Sequence, residues 1–137
     1  MIKNGSSENP PARGVLFARR VFRGAGIYGI LVLLPQYFLE GRIGQDYPPP
    51  ITHPENFYGF IGVALAWQVL FLIMSGDPVR YRPIMIPSVL EKVSFGAAAV
   101  VLYVQGRLAL PVFGAGIVDL TLAAFFAIAF VATKQSR

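Results

Sequence analysis

Val112–Ala132, VFGAGIVDLTLAAFFAIAFVA, decides the fold. The run is apolar from end to end apart from one charge, Asp119, and one hydroxyl, Thr121. A helix rises about 1.5 Å per residue, so about 20 residues cross the roughly 30 Å hydrocarbon core of a bilayer. The run therefore predicts a transmembrane helix. Three more runs of this kind lie upstream, at about 20–39 (RVFRGAGIYGILVLLPQYFL), 55–74 and 84–104. The segments joining the last three are short, which predicts antiparallel neighbours and up-down packing. The fold class that follows is an all-α membrane protein, a four-transmembrane-helix bundle over 20–132. It is flanked by polar tails at 1–19 and 133–137, and both termini are expected in the cytoplasm.

Composition excludes most other classes. The 137 residues are 55% hydrophobic and 14% charged, against about 25% charged in soluble domains. Disorder needs the opposite balance. The net charge of +5 is dispersed among apolar spans, so no nucleic-acid surface is expected. With no Cys and a single His, thiol exchange, zinc thiolates, iron–sulfur clusters and bis-His haem are out of reach. MIKNGSSENPPARG has no early apolar core and is not expected to be a cleavable leader.

Basic residues set the orientation. Lys3, Arg13, Arg19, Arg20, Arg23, Arg80, Arg82, Lys134 and Arg137 fall on the side of the termini and the middle connector. Arg42 and Arg107 fall on the other side. That bias places the chain as a multi-pass protein of a bacterial inner membrane. Arg80 and Arg82 join Arg19 and Arg20 in a cytoplasmic basic patch, suited to anionic head groups or an acidic partner.

Ionisable side chains inside a span mark candidate sites. Asp119 lies on a small-residue face with Gly116, Ala123 and Ala127. It reads as a proton or cation site near Tyr103 or Gln36, or as a buried pair with Arg42 or Arg107. Glu91 depends on where its helix starts. Ser88-Val89-Leu90-Glu91 fits a capping box, which would leave Glu91 at the interface. A start at Ile84 puts it about 10 Å deep, with Gln68 at the same level and Tyr28 completing a polar pocket. Arg23 is then its expected charge partner, and Lys92 is expected to snorkel to the cytoplasm. Glu91 and Asp119 are expected at different depths, so not as a direct pair. Gly59, Gly62 and Ala66 form a second small-residue face, suited to close helix approach. The segment 40–56 reads as a Pro-rich loop closed by a Thr52–Glu55 capping box. His53 with Glu55 and Asp46 braces that loop, being too few ligands for a metal. Trp67 reads as bundle packing or as a stacking surface for a flat ligand.

The segment Phe57–Gly96 carries Trp67-Gln68, the connector Asp77-Pro78-Val79-Arg80-Tyr81-Arg82-Pro83 and Leu90-Glu91-Lys92. It resembles small bacterial four-span proteins of the broad DoxX-like group, some of which are linked to quinone-coupled redox systems. From the residues themselves, no catalytic constellation, no metal site and no cofactor are expected. The leading expectation is a non-enzymatic accessory or scaffold subunit, or a small homo-oligomer. Its partners would be the lipid bilayer and other membrane-protein subunits or itself. The alternatives are a small proton-coupled transporter or permeation module using buried carboxylates, and a quinone-linked redox partner.

Overall fold

A computed structural model describes residues 12–134; the expected tail residues 1–11 and 135–137 lie outside that range. The described chain is all-α. Helix α1 spans Arg13–Leu33 and continues as a 3-10 turn, Leu34–Phe38. Helix α2 is Glu40–Asp46, α3 Pro54–Gly76, α4 Met85–Val104 and α5 Leu110–Ala132. A 3-10 turn at Arg82–Ile84 leads into α4. Four of these segments are long and apolar enough to cross a membrane: Arg13–Phe38, Pro54–Gly76, Arg82–Val104 and Leu110–Ala132. The protein is a multi-pass, four-span helical bundle.

Several boundaries differ from expectation, each for a local reason. Helix α1 starts at Arg13, ahead of the expected span, because Val15, Ala18 and Phe22 are buried and carry the packed face into the polar region. Pro35 lacks the donor an α-helix needs, and the chain tightens there into 3-10 geometry. The segment expected as loop contains α2, braced by an Arg42–Asp46 pair at 3.5 Å across one turn. The Thr52 box does not form. His53 occupies the cap with no side-chain bond, and Pro54 opens α3 at the position that tolerates a missing N–H. Nor does Ser88 cap α4. Its Oγ donates to the Ile84 carbonyl at 2.7 Å from inside the helix, so Glu91 lies nearly two turns in.

Around the bundle the helices run α3, α1, α5, α4, each packed on the next, whereas α3 and α4 touch sparsely. Three helix pairs approach closely at glycine, α1 and α5 among them, where a Cβ on Gly14 would collide with the Ala132 carbonyl. A Cβ on Gly116 would collide with Ala99 of α4, and one on Gly26 would stand 2.9 Å from the Gln68 carbonyl oxygen of α3. Gly59 has nothing near it and Ala66 is exposed. Of the expected small-residue face of α3, Gly59 and Ala66 therefore point outward while Gly62 faces the Tyr37 hydroxyl, and the glycines that admit α3 to close approach belong to α1. The close-packed core sits at the end holding the termini. There Phe22 stacks on Phe126 at 4.3 Å and Phe126 meets Phe71 at 5.0 Å, with Ala18, Met74, Met85 and Ala129 filling the spaces.

Candidate functional site

Beyond that core, toward the α2 end, the four long helices line a half-open cavity of about 450 Å³. Tyr28 and Gly29 line it from α1, Gln68 from α3, Glu91 and Lys92 from α4, and Asp119 from α5. Its far end is marked by Gln36, Tyr47 and Pro111. The cavity thus runs from the α2 side to about mid-span, since Asp119 is roughly 14 Å along α5 from Leu110. Over the same end, Tyr58 of α3 donates its hydroxyl to Glu40 of α2 at 2.6 Å and stacks on Tyr37. These contacts hold the segment bearing Tyr47 against the bundle.

The charges gather in one cluster. Lys92 Nζ stands 3.3 Å from Asp119 Oδ1 and 3.5 Å from Glu91 Oε2. The three side chains are 5%, 15% and 19% exposed respectively. One ammonium therefore sits between two carboxyl groups, and with both ionised the cluster is one positive charge short of balance. Glu91 Oε2 faces the ammonium as an ion pair, whereas Gln68 Oε1 is buried with no partner at all. The Gln68 amide nitrogen is already committed to the Ala64 carbonyl at 2.9 Å. Gln68 is pressed against Gly29, where a Cβ would overlap its side chain. A glycine on α1 is thus what lets the amide occupy the cavity wall.

The sequence candidates Asp119, Glu91, Gln68 and Tyr28 come together here. Their charge relations differ from expectation. Lys92 does not snorkel: it is 4% exposed, because its ammonium is held at the level of Asp119 by two carboxylates. Asp119 pairs with Lys92 and with neither Arg42 nor Arg107. Glu91 and Asp119 are not separate stations, since Lys92 reaches both. Arg23 is no partner for Glu91, because it lies on the exposed face of α1, opposite the buried Phe22 and Ala25. The basic residues Arg19, Arg20, Arg80 and Arg82 stay near the terminal end of the bundle but act separately. Arg82 donates from Nε to the Phe130 carbonyl at 2.9 Å and stacks on that ring at 3.8 Å, so it caps α5. Arg80 is exposed, 5.5 Å over Tyr81. Arg20 is exposed and Arg19 half-buried.

Sequence reasoning missed the aromatic wall. Phe60 and Phe95 line the cavity and meet at 6.1 Å across the sparse α3–α4 seam. The signal was present: Phe60 and Ala64 precede Gln68 by two turns and one, so they share its face, and Phe95 shares that of Glu91. Trp67 packs toward Phe71 at 6.1 Å and is not a cavity residue. Among the described residues no group of three or more His, Asp or Glu could hold a metal ion. No protein-family model, no curated protein and no solved structure matches this chain.

Proposed function

We propose that this chain is a small proton-coupled transport or permeation module of a bacterial inner membrane, not an enzyme. It would work as a homo-oligomer with both termini cytoplasmic. One observation carries the reading: a buried Glu91–Lys92–Asp119 cluster, one positive charge short, lines a cavity inside an apolar bundle. An uncompensated charge within a bilayer costs several kcal/mol. Uptake of a proton or a cationic group removes that cost, so the cluster favours loading and unloading of positive charge. Four spans are few for a complete path, which favours two copies. The resemblance to the DoxX-like group is compatible with this reading and carries none of it.

The test is flux. In proteoliposomes with a pH dye inside, an imposed pH gradient should drive proton movement that Asp119→Asn and Glu91→Gln each slow about tenfold or more. Unchanged flux in both variants would reject the reading. The second reading, an accessory or scaffold subunit, is favoured by the exposed Gly59 and Ala66 on α3, a face suited to another helix. Native mass spectrometry from the cell's own membranes separates the two: a homodimer supports transport, and a stoichiometric larger complex supports the subunit. A quinone-linked role has less support, because a quinone offers acceptor oxygens to a wall already short of donors.

A further inference from the structure

We infer that the cavity binds a protonated amine carrying a compact apolar or aromatic body, an inference that rests on the transport reading above. Four properties of the wall converge on that class. The first is charge. Lys92 is the cavity's cation, and it faces both Glu91 and Asp119; Tyr28 from α1 is the remaining titratable group among the deep residues. A monocation completes the balance, whereas an anion worsens it.

The second is hydrogen-bond polarity. Gln68 and Gln36 both donate their amide nitrogens to carbonyls of their own helices, at 2.9 and 3.1 Å. Lys92 faces one oxygen of each carboxylate, Glu91 Oε2 and Asp119 Oδ1, so Glu91 Oε1 and Asp119 Oδ2 remain as acceptors, and Gln68 Oε1 is left without a donor. Buried acceptors without partners cost about 1–3 kcal/mol each, so the fitting ligand brings N–H groups. A primary or secondary ammonium does so; a quaternary ammonium does not.

The third is the remainder of the wall. Tyr28, Tyr47, Phe60 and Phe95 supply aromatic surface that accepts both an apolar body and a cation over its faces. The fourth is size. A cavity of about 450 Å³ lies within the range of small-molecule sites and exceeds what a bare inorganic cation needs. Such a cation would also find its two carboxylates already bridged by Lys92, with few other oxygens to complete a shell.

The experiment is calorimetric titration of the full chain in lipid nanodiscs, with empty nanodiscs subtracted to remove partitioning. The probes are 2-phenylethylammonium, its N-trimethyl analogue, 2-phenylethanol and 3-phenylpropanoate. The protonated amine should bind saturably, about tenfold or more tighter than the alcohol, and tighter than the trimethyl analogue. The carboxylate should not bind. Ala115→Phe, which fills the cavity and leaves the three charges in place, should abolish binding. Equal affinity for amine and alcohol would overturn the charge argument, and equal affinity for amine and trimethyl analogue would overturn the donor argument. The wild-type series decides both, so nothing depends on a charge variant folding. If no probe binds while Asp119→Asn still blocks proton flux, the ligand class is wrong and the transport reading stands. If neither effect is seen, both fall.

Discussion

Lys92 lies 3.3 Å from Asp119 and 3.5 Å from Glu91, so its charge bears directly on the stability of the buried cluster. Replacing one partner of a buried ion pair leaves the other charge uncompensated, which costs about 3–5 kcal/mol. Lys92→Met strips the cation from two carboxylates and should destabilise by about that amount in a reversible denaturation in detergent. Asp119→Asn leaves Lys92 beside Glu91 in a neutral pair and should cost clearly less. A larger loss for Asp119→Asn than for Lys92→Met would show that the cluster is not short of positive charge. The sequence named every member of this cluster without its wiring. Hydropathy and helical period locate a residue's depth and face, but a Lys side chain reaches about one turn along its helix in either direction, so the expectation of snorkelling rested on no contact that could tell it from inward pairing.

At the scale of the helices, close approach is controlled by single methyl groups. In the α4–α5 pair a Cβ on Gly116 would run into the Ala99 Cβ, and neither helix can withdraw without losing the contacts above and below. Gly116→Ala should therefore cost about 1–3 kcal/mol, as overpacking does, seen as a lowered unfolding midpoint. Combining it with Ala99→Gly returns the missing volume and should recover most of the loss. No recovery in the double variant would mean that glycine serves its own backbone there and not the partner helix. The four spans were legible because about 20 apolar residues have few other uses. Their pairing was not. The Gly59 and Ala66 face of α3 has the same spacing as the faces that do pack, and only the order α3, α1, α5, α4 shows that it is left outside. Helix α2 was hidden by the Pro-rich segment behind it, although Arg42 and Asp46 already stood one turn apart.

Across the whole molecule the bundle is asymmetric, tightly filled at the end of the termini and hollow toward α2. That asymmetry makes a directional prediction that the lack of native cysteine leaves uncluttered. Ala115 lines the hollow half, and Met85 and Phe126 are fully buried in the filled half. In sealed vesicles of known orientation, Ala115→Cys should react with membrane-impermeant methanethiosulfonates added from the α2 side. Met85→Cys and Phe126→Cys should react from neither side. The reagent's own charge then reads the cluster, because a site one positive charge short concentrates cations and repels anions. The cationic reagent should label Ala115→Cys about tenfold faster than the anionic one, and that bias should shrink in Asp119→Asn. Labelling from the cytoplasmic face would reverse the proposed orientation, since the basic bias puts the α2 end outside. Equal rates for the two reagents would leave the cavity real but electrically neutral, and would remove the charge deficit from which both the proton linkage and the amine specificity follow.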